Sequence, residues 1–134
     1  MKHADDLGKL VLRLALGILI LFHGVDKLFH GIGPVIGLVA KAGLPEPVAY
    51  LAYVGEVVAP ILLLAGIWGR LAAAVIAIHM ASAILLAHTA QFMSVTKMGG
   101  WALELQGMYF CTALALVFLG VGQYSAGGKA GRWN

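Results

Sequence analysis

Two stretches of this chain, 71–96 and 105–128, contain no Asp, Glu, Lys or Arg. A helix needs about 20 largely apolar residues to cross a bilayer, and each stretch can supply one. Two further apolar stretches precede them. Hydrophobic residues make up 61% of the chain and charged residues 11%, against about 25% charged in an ordinary soluble domain. So few charges cannot cover a soluble protein of 134 residues, so lipid must be the solvent for most of the surface. We read membrane spans near 7–28, 47–68, 71–92 and 100–122. The expected fold class is all-α: a single-domain, integral membrane four-helix bundle running up-down-up-down.

The connections refine this picture. Only Gly69 and Arg70 separate the second and third spans, which forces an antiparallel hairpin. The segment 30–46 is longer. Pro34 suits a first helical turn, and Val35, Ile36, Leu38 and Val39 follow it. A short interfacial helix is expected there, folded over the bundle mouth or lying in the interface. The Gly-rich tail from Gln123 onward is expected to be mobile. With four spans, Lys2, Lys9, Arg13, Arg70, Lys129 and Arg132 share one side, and Lys27, Lys41 and Lys97 the other. The excess places both termini in the cytoplasm of a bacterial-type inner (plasma) membrane. No small-residue cleavage site follows the charged leader, so the first span is read as an uncleaved anchor. The formal charge of +3 is dispersed, without a basic run. That fits anionic lipid head groups and argues against nucleic acid. Cys111 is the single cysteine, which excludes an intrachain disulfide.

Each span carries ionisable residues: Arg13 and His23 in the first, Glu56 in the second, His79 and His88 in the third, Glu104 in the fourth. Such groups are costly in hydrocarbon and usually face a bundle interior or an aqueous cavity. At 1.5 Å per residue, His23, His88 and Glu104 fall roughly 6–8 Å inside the outer helix ends, and Glu56 roughly 14 Å down. The expectation is one polar site in the extracytoplasmic half. His23, Asp26, Lys27 and His30 form one stripe of the first helix. Gly17, Gly24 and Gly31 form a stripe beside it that admits a close neighbour. His79 and His88 are about 180° apart on a regular helix, so His88 is assigned to the site and His79 to a neighbouring helix or subunit. Arg13 and Lys27 are also read as snorkelling toward head groups. Tyr50, Tyr53, Trp68 and Trp101 read as interfacial aromatics. A plainer account of the buried polar residues is interhelical hydrogen bonding, about 0.6 kcal/mol each on average.

The order His23-Gly24-x-x-Lys27-Leu28, a Gly- and Pro-bearing loop, Glu56, Arg70, Glu104 and Gly120-x-Gly122-x-Tyr124-Ser125 resembles the DoxX family along nearly the whole chain. The tail departs from the family pattern at Gln123 and 126–128. The resemblance implies a four-helix membrane protein, and the family includes a subunit of a thiosulfate:quinone oxidoreductase. Two functions follow as expectations. The first is a quinone-linked redox or respiratory-complex subunit. Glu56, Glu104 and His23 act as catalytic groups, and His23, Lys27 and His88 hold the quinone. The chain has no electron-carrying motif, so a protein partner must deliver electrons. The second is a non-catalytic accessory or assembly subunit of a larger membrane complex or homo-oligomer. Haem on His23 and His88, or a carboxylate–His metal site, is a weaker option, because there is no haem-attachment motif and no Glu-x-x-His pair.

Overall fold

The computed structural model describes residues 1–134. It is all-helical apart from one isolated antiparallel bridge between Val95 and Trp101. Helix α1 runs Lys2–His30, and α2 is the short Gly33–Lys41. Helix α3 spans Glu46–Ala65, and α4 spans Gly69–Ala87. A 3-10 turn at Thr89–Gln91 precedes helix α5, Glu104–Leu119. Helices α1, α3 and α4 are each long and apolar enough to cross a membrane, and α5 is a shorter apolar helix. At 16 residues, α5 is roughly 24 Å long, short of the ~30 Å hydrocarbon core. The span expected over 100–122 is therefore shorter at both ends. Its first residues belong to the Val95–Trp101 turn, and Gly120 ends the helix with φ 78°.

The shared core draws on four helices: Leu16 and Ile20 of α1, Leu63 of α3, Ile76 and Met80 of α4, and Leu116 of α5 are all buried. Between them lie Ala59, Ala72, Ala73, Ala77 and Ala113. Small side chains let helices approach closely where lipid supplies no hydrophobic drive. Helix α4 makes its largest interface with α5, and α1 packs on α3 and α5. The outer surface is apolar, with Phe22, Ile61, Ile78, Leu85 and Phe118 among the large exposed side chains.

Helix α3 is irregular for a reason visible in its sequence. It opens as a 3-10 turn over Glu46–Tyr50 and widens into a π-helical turn over Val54–Val58 before Ala59–Ala65 closes it. Pro60 has no N–H, and its ring crowds the carbonyl four residues back, that of Glu56. A wide turn relieves that crowding, and such turns concentrate at functional sites. Here it carries Glu56.

The end bearing the termini differs from expectation in two respects. Arg13 does not snorkel; it is 1% exposed. Its guanidinium donates to the carbonyls of Leu63 (2.9 Å), Leu64 (2.8 Å), Val121 (2.9 Å) and Tyr124 (2.8 Å). Leu63 also accepts from Gly66 N–H, whereas the other three are orphan acceptors at and beyond the C-termini of α3 and α5, where a cation also suits the helix dipole. The tail is also held in place. Ala126 and Gly127 donate to Ala65 and Gly66, Asn134 accepts from Gly69 N–H at 2.9 Å, and Arg70 Nε donates to the Asn134 carbonyl at 2.7 Å. Buried Asp6 joins this end, 3.6 Å from Lys129 and 3.9 Å from Lys9. Backbone hydrogen bonds, which Gly-rich composition does not reveal, fix the tail.

Candidate functional site

Glu56 faces inward from the π turn and is 7% exposed. Lys27 Nζ of α1 donates to its Oε2 at 2.6 Å, and His79 Nε2 of α4 lies 2.8 Å from Oε1. Each carboxylate oxygen thus has its own partner from a separate helix. Two glycines allow the convergence. A Cβ on Gly24 would overlap the Glu56 carbonyl, and one on Gly55 would overlap the His79 ring. Tyr53 Oη donates to the Lys27 carbonyl at 3.2 Å, tying α3 to the end of α1.

This triad borders a cavity of about 510 Å³, within the range typical of small-molecule sites. Seventeen of its 25 lining residues are hydrophobic, so its polar groups are few enough to orient a ligand. Helix α2 lies over it through Val35, Leu38 and Val39, with Ile32 and Val39 packed on Ala49. His23, on the same stripe of α1 as Lys27, and Gln106 and Tyr109 of α5 also line the cavity. The His23 and Tyr109 rings meet edge-on, centroids 6.3 Å apart at 79°. None of these three side chains has a hydrogen-bond partner in the protein. The cavity lining therefore combines a self-satisfied ionic centre with polar groups of α1 and α5 that have no protein partner.

Of the residues singled out from sequence, Glu56, Lys27, His23 and His88 line this cavity, and Glu104 does not. Glu104 is the first residue of α5, exposed, with its carboxylate turned toward Gly100. There it complements the N-terminal dipole. Its expected depth assumed a helix beginning near residue 100. His79 meets the neighbouring helix α3, as expected, and both histidines line the cavity. His79 bonds Glu56, whereas His88 borders the same cavity while pairing with Gln91 at 2.8 Å. Helix α4 ends at Ala87, and His88 has φ −128°, so helical angular spacing does not apply to it. Gln106 and Tyr109 were not recognised in the sequence; they sit in a charge-free run without an informative period.

These elements lie largely inside one stretch of chain, and the DoxX family model matches residues 8–89. The chain belongs to the DoxX family. The match includes Arg13, His23, Lys27, Glu56, Arg70, His79 and His88 and stops before α5. With three membrane-capable apolar helices, this DoxX protein is a membrane protein. No curated protein and no solved structure matches the chain.

Proposed function

We propose that this DoxX protein binds a quinone in the cavity beside Lys27, Glu56 and His79 and serves as a quinone-linked subunit of a membrane redox complex. The supporting observation is the pairing of an apolar 510 Å³ cavity with an ionic centre and three polar side chains in its lining that have no protein partner. A quinone ring needs apolar walls and one hydrogen-bond donor near each of its opposed carbonyls. Lys27 has two ammonium protons beyond the one given to Glu56, and Tyr109, Gln106 and His23 supply further free groups in the lining. A bound quinone takes up two electrons and two protons, and a partner redox protein supplies the electrons. Glu56 and His79 hold a proton between Oε1 and Nε2 at the cavity wall, within reach of an incoming acceptor. The helices form a four-helix up-down-up-down bundle in the plasma membrane with both termini cytoplasmic, supported by the six-to-three Lys/Arg excess on the side of the termini. Titrating a simple naphthoquinone into protein reconstituted in nanodiscs tests this. Saturable thermal stabilisation is expected, weakened in Tyr109→Phe. No stabilisation up to the solubility limit overturns the proposal.

One observation favours a second reading, an accessory subunit without chemistry. No buried side-chain nitrogen or oxygen lacks a partner, so the Lys27–Glu56–His79 set suffices as interhelical glue. On that reading Glu56→Ala abolishes assembly with partners and quinone has no effect.

A further inference from the structure

The cavity wall is not confined to the interior. Leu51 and Val54 of α3 and Ile78 of α4 line it. They are also 61%, 41% and 67% exposed on the outer surface of the bundle. Those side chains, close to Glu56 and His79 in sequence, therefore join the cavity lining to the exposed surface between α3 and α4, as an apolar groove. Val75 and Ser82 continue the α4 edge. Ser82 does not interrupt the groove's apolar character, because its hydroxyl donates to the Ile78 carbonyl of its own helix at 2.9 Å. The other approaches differ. Helix α2 covers the end near Lys27 and His88 with Val35, Leu38 and buried Val39. The α1–α5 side presents exposed His23 and half-buried Gln106, which an alkyl chain does not favour. The centre itself carries one cation against one anion, so it offers no surplus charge to an anionic solute.

We propose that the ligand enters from the bilayer between α3 and α4, and that it is a lipid-soluble molecule with an uncharged hydrogen-bonding ring and an alkyl tail left lying in the Leu51–Val54–Ile78 groove. This rests on the ring-binding reading above and extends it to the ligand's tail and route. The groove commits to a tail because it is continuous with the cavity and apolar along its length.

The test uses the full-length protein in nanodiscs. The probes are a tail-less naphthoquinone and the same ring with a decyl tail ending in a photoreactive diazirine. Illumination is expected to label 51–54 of α3 and 75–82 of α4, in competition with the tail-less ring. Labelling centred on α2 or on Leu105 overturns lateral entry. In parallel, Val54→Trp and Ile78→Trp fill the groove from its outer, exposed side. Overpacking of this kind predicts a loss of at least about fivefold in affinity for the tailed probe, larger than any loss for the tail-less ring. Equal affinity of the variants for the tailed probe also overturns it. The photolabelling reads unaltered protein, so a misfolded variant does not decide the matter. If the tail-less ring itself fails to bind, the quinone reading falls; if it binds and the tail labels elsewhere, only the route falls.

Discussion

Replacing Lys27 by Met leaves Glu56 Oε2 without its 2.6 Å partner in a site where the Glu56 side chain is 10% exposed. Breaking a fully buried ion pair by removing one member costs about 3–5 kcal/mol. Two features reduce that figure. The Lys27 side chain is 21% exposed, and His79 still holds Oε1 at 2.8 Å. We expect Lys27→Met to destabilise the fold by about 2 kcal/mol, the lower side of the buried range. Glu56→Gln keeps an acceptor for His79 or Lys27 but not both, so about 1–2 kcal/mol is expected. The double variant contains no orphan charge. Its destabilisation should fall below the sum of the singles by about 1–2 kcal/mol, the coupling of contacting residues. Reversible unfolding in mixed detergent micelles with rising SDS measures all three variants against wild type. Additivity of the two single effects within about 0.5 kcal/mol would show that Lys27 and Glu56 do not interact, and the site as described would be wrong.

Other outcomes follow from the same geometry. Gly24→Ala and Gly55→Ala place a Cβ onto the Glu56 carbonyl and the His79 ring and should each destabilise by about 1–3 kcal/mol. Gly37→Ala, inside α2 with nothing within 4 Å, should instead stabilise by about 0.5–1 kcal/mol; the same SDS titration compares them. Arg13→Met strands three of the four carbonyls that the guanidinium serves, since Leu63 keeps the Gly66 N–H. It should destabilise by at least about 3 kcal/mol and release the tail to proteolysis near Tyr124, read by mass spectrometry of the fragments. Tyr109→Phe removes a hydroxyl that makes no hydrogen bond within the protein. It should leave the unfolding midpoint in place while weakening naphthoquinone binding roughly five- to tenfold, the loss of one hydrogen bond.

The helical architecture was legible because apolar runs free of charge admit few alternatives, and Glu56 and Lys27 stood out as ions within them. The glycine stripe was also legible: Gly17 and Gly24 lie against α3, while Gly31 terminates α1 with φ 79°. What escaped depended on where helices end. His88 was placed on a helix that stops one residue earlier, and Glu104 was placed within a helix that begins with it. Arg13 sits near one end of an apolar span, where snorkelling and capping of a neighbour's carbonyls look alike in sequence. Gly55 beside Glu56, with Pro60 four residues on, was a usable sign of a widened turn bringing a carboxylate inward. Tyr109 and Gln106 acquire meaning only from the helices opposite them.

Nitrogen-15 NMR of histidine-labelled protein in nanodiscs tests the convergence of α1, α3 and α4 most directly, with the five histidines assigned by single substitutions. Glu56→Gln should shift the His79 Nε2 resonance, and Lys27→Met should shift it less, while His3 and His30 stay in place. A His79 signal indifferent to both substitutions would mean that the imidazole and the carboxylate are not bonded across α3 and α4.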